Sequence, residues 1–367
     1  MSTVLVAKDV DLVPEEFADL LKPVLAKWET AILRVAAAHA DKTRFVVPPG
    51  KNTPEGLLAR RFAQFPVAKR NMLGERAVRA LGSPKTKERL GTHVSLRSLA
   101  DARPVDDRMV AAPPMAMTQT RATEIAIRTL AETTGVRRFG SDALFGSGTL
   151  RMDLIRVVCI DETDGLFWPF NTEAGQDEIY LMGTILDGST NVGEIPPFKV
   201  GEFDDGTRKD YSPAKQLLKI DLNSSTEFPK AYFVSLILVE KDQGDLNETL
   251  SKIIQKLADE SAAWLAAAIA GYVGAAAGGP IAAAIAASVA WAVTKLVELL
   301  KAAWDDDLFT AVTLNVLIPD SQATLDPNSQ VFHARGPGEY ALRYQWKFLK
   351  GRPKVTTGAG TQVVVHA

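Results

Sequence analysis

Three clusters of acidic residues are the part of this sequence whose residue types and spacing could do chemistry. Crowded carboxylates repel one another, and a hard divalent cation bound by several oxygens is the usual compensation. The clusters therefore predict a calcium site, while the alternative is that the acids only keep loops soluble. The residues expected to act as ligands are Asp161, Asp164, Asp177, Glu240, Asp242, Asp245 and Asp307.

The elements that must position these acids are short strands. From Leu150 onwards the apolar residues alternate or form short runs, and the clearest strand is 340–348, where Leu342, Tyr344 and Trp346 face one way. Several such strands joined by turns predict an antiparallel β-sandwich. The loops of this sandwich are acidic, because Asp153 to Glu248 contains nineteen Asp or Glu and eight Lys or Arg, a net charge of −11. The further predicted strands are 150–160, 178–186, 217–222, 232–239 and 312–318.

The order of these acids resembles that in C2 domains. Residues 157–181 resemble the first calcium loop of that family, with Asp161 leaving one strand and Asp177 opening the next. Residues 238–242 resemble the strand and the D-x-D motif of the third loop, although Glu240 stands for an Asp and Lys241 lies beside the acids. The resemblance covers roughly residues 150–250 and 305–350. It implies a C2-like sandwich with calcium as its ligand, the later Asp of the third loop being Asp245 or one of residues 305–307.

An uncharged segment lies between the second acidic cluster, residues 240–245, and the third, residues 305–307. Ser261 to Thr294 contains thirty-four residues without one charge, sixteen of them Ala, and Gly278-Gly279-Pro280 interrupts it. Two helices joined by this turn are predicted, with charges only at their outer ends. Their uncharged arms of seventeen and fourteen residues would span roughly 25 and 21 Å, which is shorter than a hydrocarbon core of ~30 Å.

Small residues in this hairpin are spaced for close contact between helices. Such small-xxx-small ladders suit helix association in lipid, and tryptophans at comparable depth on the two arms suit a membrane interface. The segment resembles the hydrophobic hairpins and glycine zippers of helical pore-forming proteins. The alternative is an Ala-rich helix pair packed on its own domain or on a partner. The residues expected to act in membrane contact or oligomerisation are Trp264, Gly271, Gly274, Gly278, Gly279, Pro280 and Trp291.

The N-terminal part of the chain is helical and basic. Pro14-Glu15-Glu16 and Thr53-Pro54-Glu55 are typical helix starts, and Pro66 separates a third helix. Lys51 to Leu90 contains ten Lys or Arg and three Glu, a net charge of +7. This predicts a docking face for anionic lipid or an acidic partner, or else a solvated helix face. The residues of the predicted docking face are Arg60, Arg61, Lys69, Arg70, Arg76 and Arg79.

The predicted fold class is α+β, with an N-terminal helical domain followed by an antiparallel β-sandwich that carries an inserted Ala/Gly-rich helical hairpin. Its predicted parts are a basic helical domain at 1–101, a linker or extended arm at 102–148, the C2-like sandwich at 149–245 and 305–350, the hairpin at 246–304, and a flexible tail at 351–367. The chain has 367 residues, a net charge of −2 and one Cys, which excludes a disulfide framework.

The motifs of common enzyme classes are missing from the sequence. It has no G-x-S-x-G, no G-x-x-x-x-G-K-[ST] and no G-x-G-x-x-G, and its four His are scattered. We therefore expect no enzyme, no organic cofactor and no nucleic-acid partner. The N-terminus lacks a signal peptide, which predicts synthesis in the cytoplasm and export, if any, by a signal-independent route.

These observations predict a membrane-active protein that inserts its hairpin, forms homo-oligomers and responds to calcium. The alternative is a soluble scaffold, cargo or partner-binding protein whose hairpin is a packing or assembly surface.

Overall fold

The structure of the chain is a computed structural model. It describes residues 5–8, 13–47, 50, 53–94, 117–133, 148–162, 177–187, 192–222, 228, 230–240, 246–270, 279–304, 308–318, 325 and 328–350. Structural statements below concern these residues.

Seven helices lie within the described residues. Their starts follow local chemistry: α1 begins with two acids in its first turn, and the Thr53 hydroxyl accepts a hydrogen bond from the Gly56 amide at the start of α2 (3.1 Å). The helices are α1 (Glu15–Ala40), α2 (Pro54–Phe62), α3 (Val67–Gly82), α4 (Pro84–Gly91), α5 (Gln119–Thr133), α6 (Leu246–Ala268) and α7 (Pro280–Trp304).

The strands form two antiparallel sheets and one short parallel pair. The first sheet has the order β1-β9-β7-β4-β5, the second has the order β10-β11-β3-β6, and β2 pairs with β8. The strands are β1 (Leu5–Lys8), β2 (Met117–Thr118), β3 (Gly148–Asp161), β4 (Asp177–Asp187), β5 (Val192–Phe203), β6 (Arg208–Asp221), β7 (Lys230–Glu240), β8 (Ile269–Ala270), β9 (Val312–Ile318), β10 (Gln330–Arg335) and β11 (Glu339–Lys350).

The predicted fold class is confirmed. Two antiparallel sheets pack as a sandwich, helices α1 to α4 precede every sandwich strand except β1, and α6 and α7 are inserted between the neighbouring strands β7 and β9. The structure differs from the prediction in the segment 102–148, because its residues 119–133 form α5 rather than an extended arm. Ala122, Ile125 and Ala126 of α5 are buried in the same core as the hairpin. The division into the predicted domains stays a prediction.

The five-stranded sheet is the middle layer of the molecule. On one face, Tyr232, Val234 and Leu236 of β7 pack against the four-stranded sheet. On the other face, Phe233 and Ile237 of the same strand pack against the helices. Ten of the eleven residues of β7 are buried, which explains why its sequence is a continuous apolar run rather than an alternating one. The hairpin therefore packs against the face of the five-stranded sheet that points away from the four-stranded sheet.

Helix α1 covers the hairpin from the other side. It contacts both α6 and α7 as well as α2 and α3. Its buried face includes Phe17, Leu21, Trp28 and Ile32, each fully buried, spaced three or four residues apart along much of that face. The hairpin thus lies between the sheet and the N-terminal helices, and all three belong to one core.

Candidate functional site

The strand ends that carry the acidic clusters meet at one end of the sandwich. Antiparallel pairing places Ile179 opposite Glu240 and Asp177 opposite Phe203. The Glu162 amide donates a hydrogen bond to the Asp205 carboxylate in the turn after β5 (2.6 Å), which brings the end of β3 to the same place. We name this region the acidic end, meaning residues 161–162, 177–178, 202–205 and 240.

Basic side chains neutralise part of this acidic end. Lys199 donates hydrogen bonds to Glu178 (2.5 Å) and to Glu202, and these bonds raise the pKa of Lys199. Next to Asp161 across the ladder, Glu339 accepts hydrogen bonds from His333 (2.8 Å) and Arg335 (3.2 Å). The hydrogen bond from His333 lowers the pKa of Glu339, and the hydrogen bond from Arg335 lowers this pKa further by a smaller amount. These carboxylates are therefore already paired with basic side chains.

The described residues contain no group of three His, Cys, Asp or Glu side chains that could hold a metal ion. Of the predicted ligands, Asp161 and Glu240 end their strands at the acidic end, and the backbone of Asp177 lies there too. The predicted ligands Asp164, Asp242, Asp245 and Asp307 lie outside the described residues. Calcium binding stays a prediction.

Helix α7 is the most apolar of the described helices. Its mean hydropathy reaches 1.7 over an 18-residue window, so by length and composition it could cross a membrane, as could the core helix of a soluble protein. In this structure 78% of that window is buried. Its first half consists mainly of Ala, which allows the helix to approach the sheet and α1 closely. In this structure α7 is therefore a core helix.

The predicted membrane-contact residues are distributed differently. Trp264 and Trp291 are both half-buried and pack against the helical core. Gly279 has a φ of 88°, which favours glycine, and Pro280 is the first residue of α7. The zipper residues Gly271, Gly274 and Gly278 lie outside the described residues. Their role in close helix contact stays a prediction.

A row of hydroxyl groups lies where the sheet faces the hairpin. Thr184, Ser235 and Thr313 are in register on the neighbouring strands β4, β7 and β9. The Thr313 hydroxyl lies 3.3 Å from that of Ser235 and 3.4 Å from that of Thr294 on α7, which are long distances for hydroxyl hydrogen bonds. We name Thr184, Ser235, Thr294 and Thr313 the hydroxyl seam. Through the contact between Thr294 and Thr313 it adds a weak polar link to the apolar packing of Phe233 and Ile237 against the helices.

A small cavity continues this interface. Its volume is about 10 Å³, close to the minimum for one water molecule, and its lining is mostly apolar. Its lining includes Ala283 and Ala284 of α7, Ala126 of α5, and Phe233 and Asn315 of the sheet. Small side chains therefore leave the contact between α7 and the sheet less than fully packed.

Helix α1 holds the hairpin through a directed polar cluster. The Glu260 carboxylate of α6 accepts hydrogen bonds from the Trp28 indole (3.0 Å) and the Lys27 ammonium (3.3 Å) of α1. One turn further along α6, the Trp264 indole donates to the Leu20 carbonyl (2.8 Å). Lys27 is only 5% exposed and Trp28 is fully buried. These contacts join segments that lie more than 230 residues apart in sequence.

The predicted basic docking face is exposed only in part. Arg60, Arg76 and Arg79 are exposed, Lys69 and Arg70 are half-buried, and Arg61 is 2% exposed with its guanidinium over the Phe65 ring at 5.2 Å. Arg61 therefore lies in the interior and not on the surface.

Helix α3 also exposes apolar side chains beside its cations. Val67 is 60% exposed and Met72 is 50% exposed. The Arg76 guanidinium donates to the carbonyl of Ala302 in the last turns of α7 (3.1 Å), so this surface adjoins the base of the hairpin. Apolar and basic groups are thus combined on one exposed helix.

The cluster around Glu260 was not predicted, because in the sequence Lys27 and Glu260 look like ordinary surface charges. The available signal was position: Lys27 falls between Val24 and Ala31 on the buried stripe of α1. Arg34 shows the same signal and is 1% exposed, and burial lowers its pKa while Glu55 opposes that effect. A charged residue on an apolar helical stripe indicates a buried partner elsewhere in the chain.

Comparison of the chain with protein families, curated proteins and solved structures found no match.

Proposed function

We propose that this protein is a non-enzymatic, membrane-active protein whose hairpin α6–α7 is stored in the core of a soluble form. Docking on an anionic membrane would release the hairpin, which would then insert and associate with hairpins of other copies. The observation that carries the proposal is the position of α7. This apolar helix is held between an α1 layer with polar contacts and a sheet face with the hydroxyl seam.

Two properties of the hairpin support its release. Part of its contact with the sheet, beside apolar side chains such as Phe233 and Ile237, consists of alanines and long hydroxyl contacts, which cost less to separate than interlocked apolar side chains. Its helices also continue into a charge-free stretch, Ser261 to Thr294, that would carry no ion into the hydrocarbon region. Both features favour a helix pair that can lie either in the protein core or in a membrane.

The surface of α3 and α4 supports docking. Residues 67–91 contain seven Lys or Arg and two Glu, and Val67 and Met72 are exposed among them. Basic and apolar groups on one helix are typical of helices that lie in the interface of anionic membranes. The contact between Arg76 and Ala302 links this docking surface to the end of α7.

The acidic end would respond to calcium in this proposal. Carboxylates at residues 161, 177–178, 202–205 and 240 would repel an anionic membrane, and a bound divalent cation would remove that repulsion. The proposal requires the acids of residues 241–245 and 305–307 as additional ligands, because Lys199 already neutralises Glu178 and Glu202.

A second candidate function is a soluble partner-binding or scaffold protein. The observation that favours it is the burial of sixteen of the 25 residues of α7, which is the behaviour of an ordinary core helix. In that case the hairpin never leaves the sheet, and the basic α3–α4 surface alone would bind an acidic partner.

Leakage of a dye from liposomes separates the two candidates. We expect micromolar protein to release dye from liposomes with anionic lipid and not from zwitterionic ones, and calcium to increase the rate relative to chelator. Gly274→Leu should abolish leakage without unfolding the protein, because a large side chain blocks close helix contact. Gly274→Ala is the matched control, since Ala is small enough to keep close helix contact and should leave leakage unchanged. Absence of leakage under every condition would support the second candidate.

A further inference from the structure

We propose that Glu260 is a latch residue, whose carboxylate holds the tip half of the hairpin on α1 and whose loss of contact is the first step of hairpin release. We name Lys27, Trp28, Glu260 and the Trp264–Leu20 bond the latch. This inference rests on the proposed function for its purpose, but the opening of the latch can be measured without any membrane.

The latch joins the tip half of the hairpin to α1 through several directed polar contacts. Glu260 Oε2 accepts hydrogen bonds from the Trp28 indole (3.0 Å) and from the Lys27 ammonium (3.3 Å). Its other oxygen, Oε1, lies 3.5 Å from the Lys256 ammonium. The side chains of Lys27 and Glu260 are 7% and 18% exposed, so solvent screens their attraction little. On the sheet side, Phe233 and Ile237 pack in the same core as the hairpin, and the hydroxyl seam reaches α7 through the 3.4 Å contact between Thr294 and Thr313.

The base of the hairpin is held by a different set of contacts. Ser251 in the second turn of α6 donates to Glu194 of β5, and Arg76 donates to Ala302 of α7. Trp304 is fully buried among Phe62 and Phe65, with ring centroids 5.5 and 5.9 Å away. Opening of the latch would therefore free residues 257–268 and the start of α7 while the base stays attached.

A buried ion pair suits this role because its two halves are interdependent. Removing one partner leaves the other charge buried without compensation, which is strongly destabilising, whereas removing both partners is nearly neutral. Separation of Glu260 from Lys27 at a membrane would thus strongly destabilise the stored position of the hairpin by breaking a single ion pair.

Hydrogen exchange of the full chain in solution tests the latch. In Glu260→Gln, which replaces the carboxylate beside the buried Lys27 and Trp28 with an uncharged amide, we expect amide exchange in residues 257–268 and 281–290 to rise at least tenfold. Exchange in β7 and β11 should stay unchanged. The double variant Lys27→Met with Glu260→Gln should restore slow exchange. Glu248→Gln is the matched control on the same helix, because its ion pair with Lys252 is exposed.

Three results would overturn the proposal: unchanged exchange in Glu260→Gln, an equal rise in β7 and β11, or a double variant as fast as the single one. If Glu260→Gln does not fold, Trp28→Phe removes one latch donor and should raise exchange in the same residues to a smaller extent. A rise in amide exchange confined to residues 257–268 and 281–290, without faster dye release, would support the latch and contradict the proposed function. Faster dye release without selective exchange would contradict the latch.

Discussion

The two faces of the five-stranded sheet are packed in opposite ways. Towards the second sheet, large side chains interlock: the Tyr340 ring lies 5.3 Å from Phe309 and 5.5 Å from Phe203, in edge-to-face geometry. Towards the hairpin, the middle of the sheet presents the hydroxyl seam and meets the alanines of α7. One face is packed by interlocked aromatic rings, and the other combines apolar side chains with hydroxyl groups and alanines; we propose that the second face can open.

The difference shows that burial alone does not define the role of a segment. Phe309 and Ala284 are both buried, at 0% and 5% exposure, but a phenyl ring makes many more contacts than a methyl group. The hairpin is therefore as hidden as the sandwich core, although alanines and long hydroxyl contacts make up part of its contact with the sheet. Its position depends on α1, and the predictions below test this dependence.

The largest effect is expected from the interlocked face. Phe309→Ala should lower the free energy of unfolding by about 3–5 kcal/mol, because it leaves a cavity beside Tyr340. Urea unfolding followed by circular dichroism measures this change. Ile160→Ala is the control, since Ile160 is 46% exposed and should cost less than ~0.5 kcal/mol. Equal losses in the two variants would contradict the assignment of this face as the permanent core.

A smaller and local effect is expected from the latch. Trp264→Phe removes the hydrogen bond to the Leu20 carbonyl and keeps most of the aromatic surface, so it should cost about 1 kcal/mol. Exchange should rise in α6 and not in β11. The same change at Trp291, the other half-buried tryptophan of the hairpin, provides the comparison. A uniform rise across the whole chain would show that α1 does not hold the hairpin separately.

The docking surface should affect binding and not stability. Arg79→Ala should weaken binding to anionic vesicles about fivefold, since one cation near such a surface contributes about 1 kcal/mol. Co-sedimentation measures binding, and thermal melting checks that the fold is unchanged. Arg335→Ala is the control, because Arg335 is an exposed arginine of the second sheet. Equal losses from both variants would contradict a docking face on α3.

The smallest effect on stability is expected at the hydroxyl seam. Ser235→Ala combined with Thr313→Val removes both partners of a 3.3 Å contact, so stability should change by less than ~1 kcal/mol. An apolar seam should nevertheless hold α7 more tightly, which predicts slower exchange in residues 281–294 and slower dye release. Faster exchange would mean that the hydroxyls hold the hairpin rather than ease its release.

The sequence predicted the elements whose patterns are local. The alternation of Tyr340 to Phe348 predicted β11, and the Pro and Gly signals around residue 280 predicted the hairpin. It did not predict β5, because Pro196 and Pro197 argue against a strand. That strand lies at the edge of its sheet, where the missing amide of a Pro costs no ladder bond.

The position of the hairpin could not be predicted for a physical reason. An Ala-rich, charge-free helix pair loses water equally well in lipid and in a protein core, so its composition does not distinguish the two. The distinguishing information lies in distant residues such as Lys27 and Glu260, whose contact depends on the whole fold. The acidic end was easier to predict, since Asp161, Asp177 and Glu240 each lie at the end of a recognisable strand.

The central claim is that the hairpin leaves the core at an anionic membrane. An environment-sensitive fluorophore on Ala267→Cys would report this directly, because Ala267 is exposed on α6 while the single native thiol, Cys159, is fully buried. On addition of anionic vesicles we predict a blue-shifted, brighter emission that quenchers in the lipid tails suppress. Protein that co-sediments with those vesicles but keeps the emission of the soluble form would contradict the account.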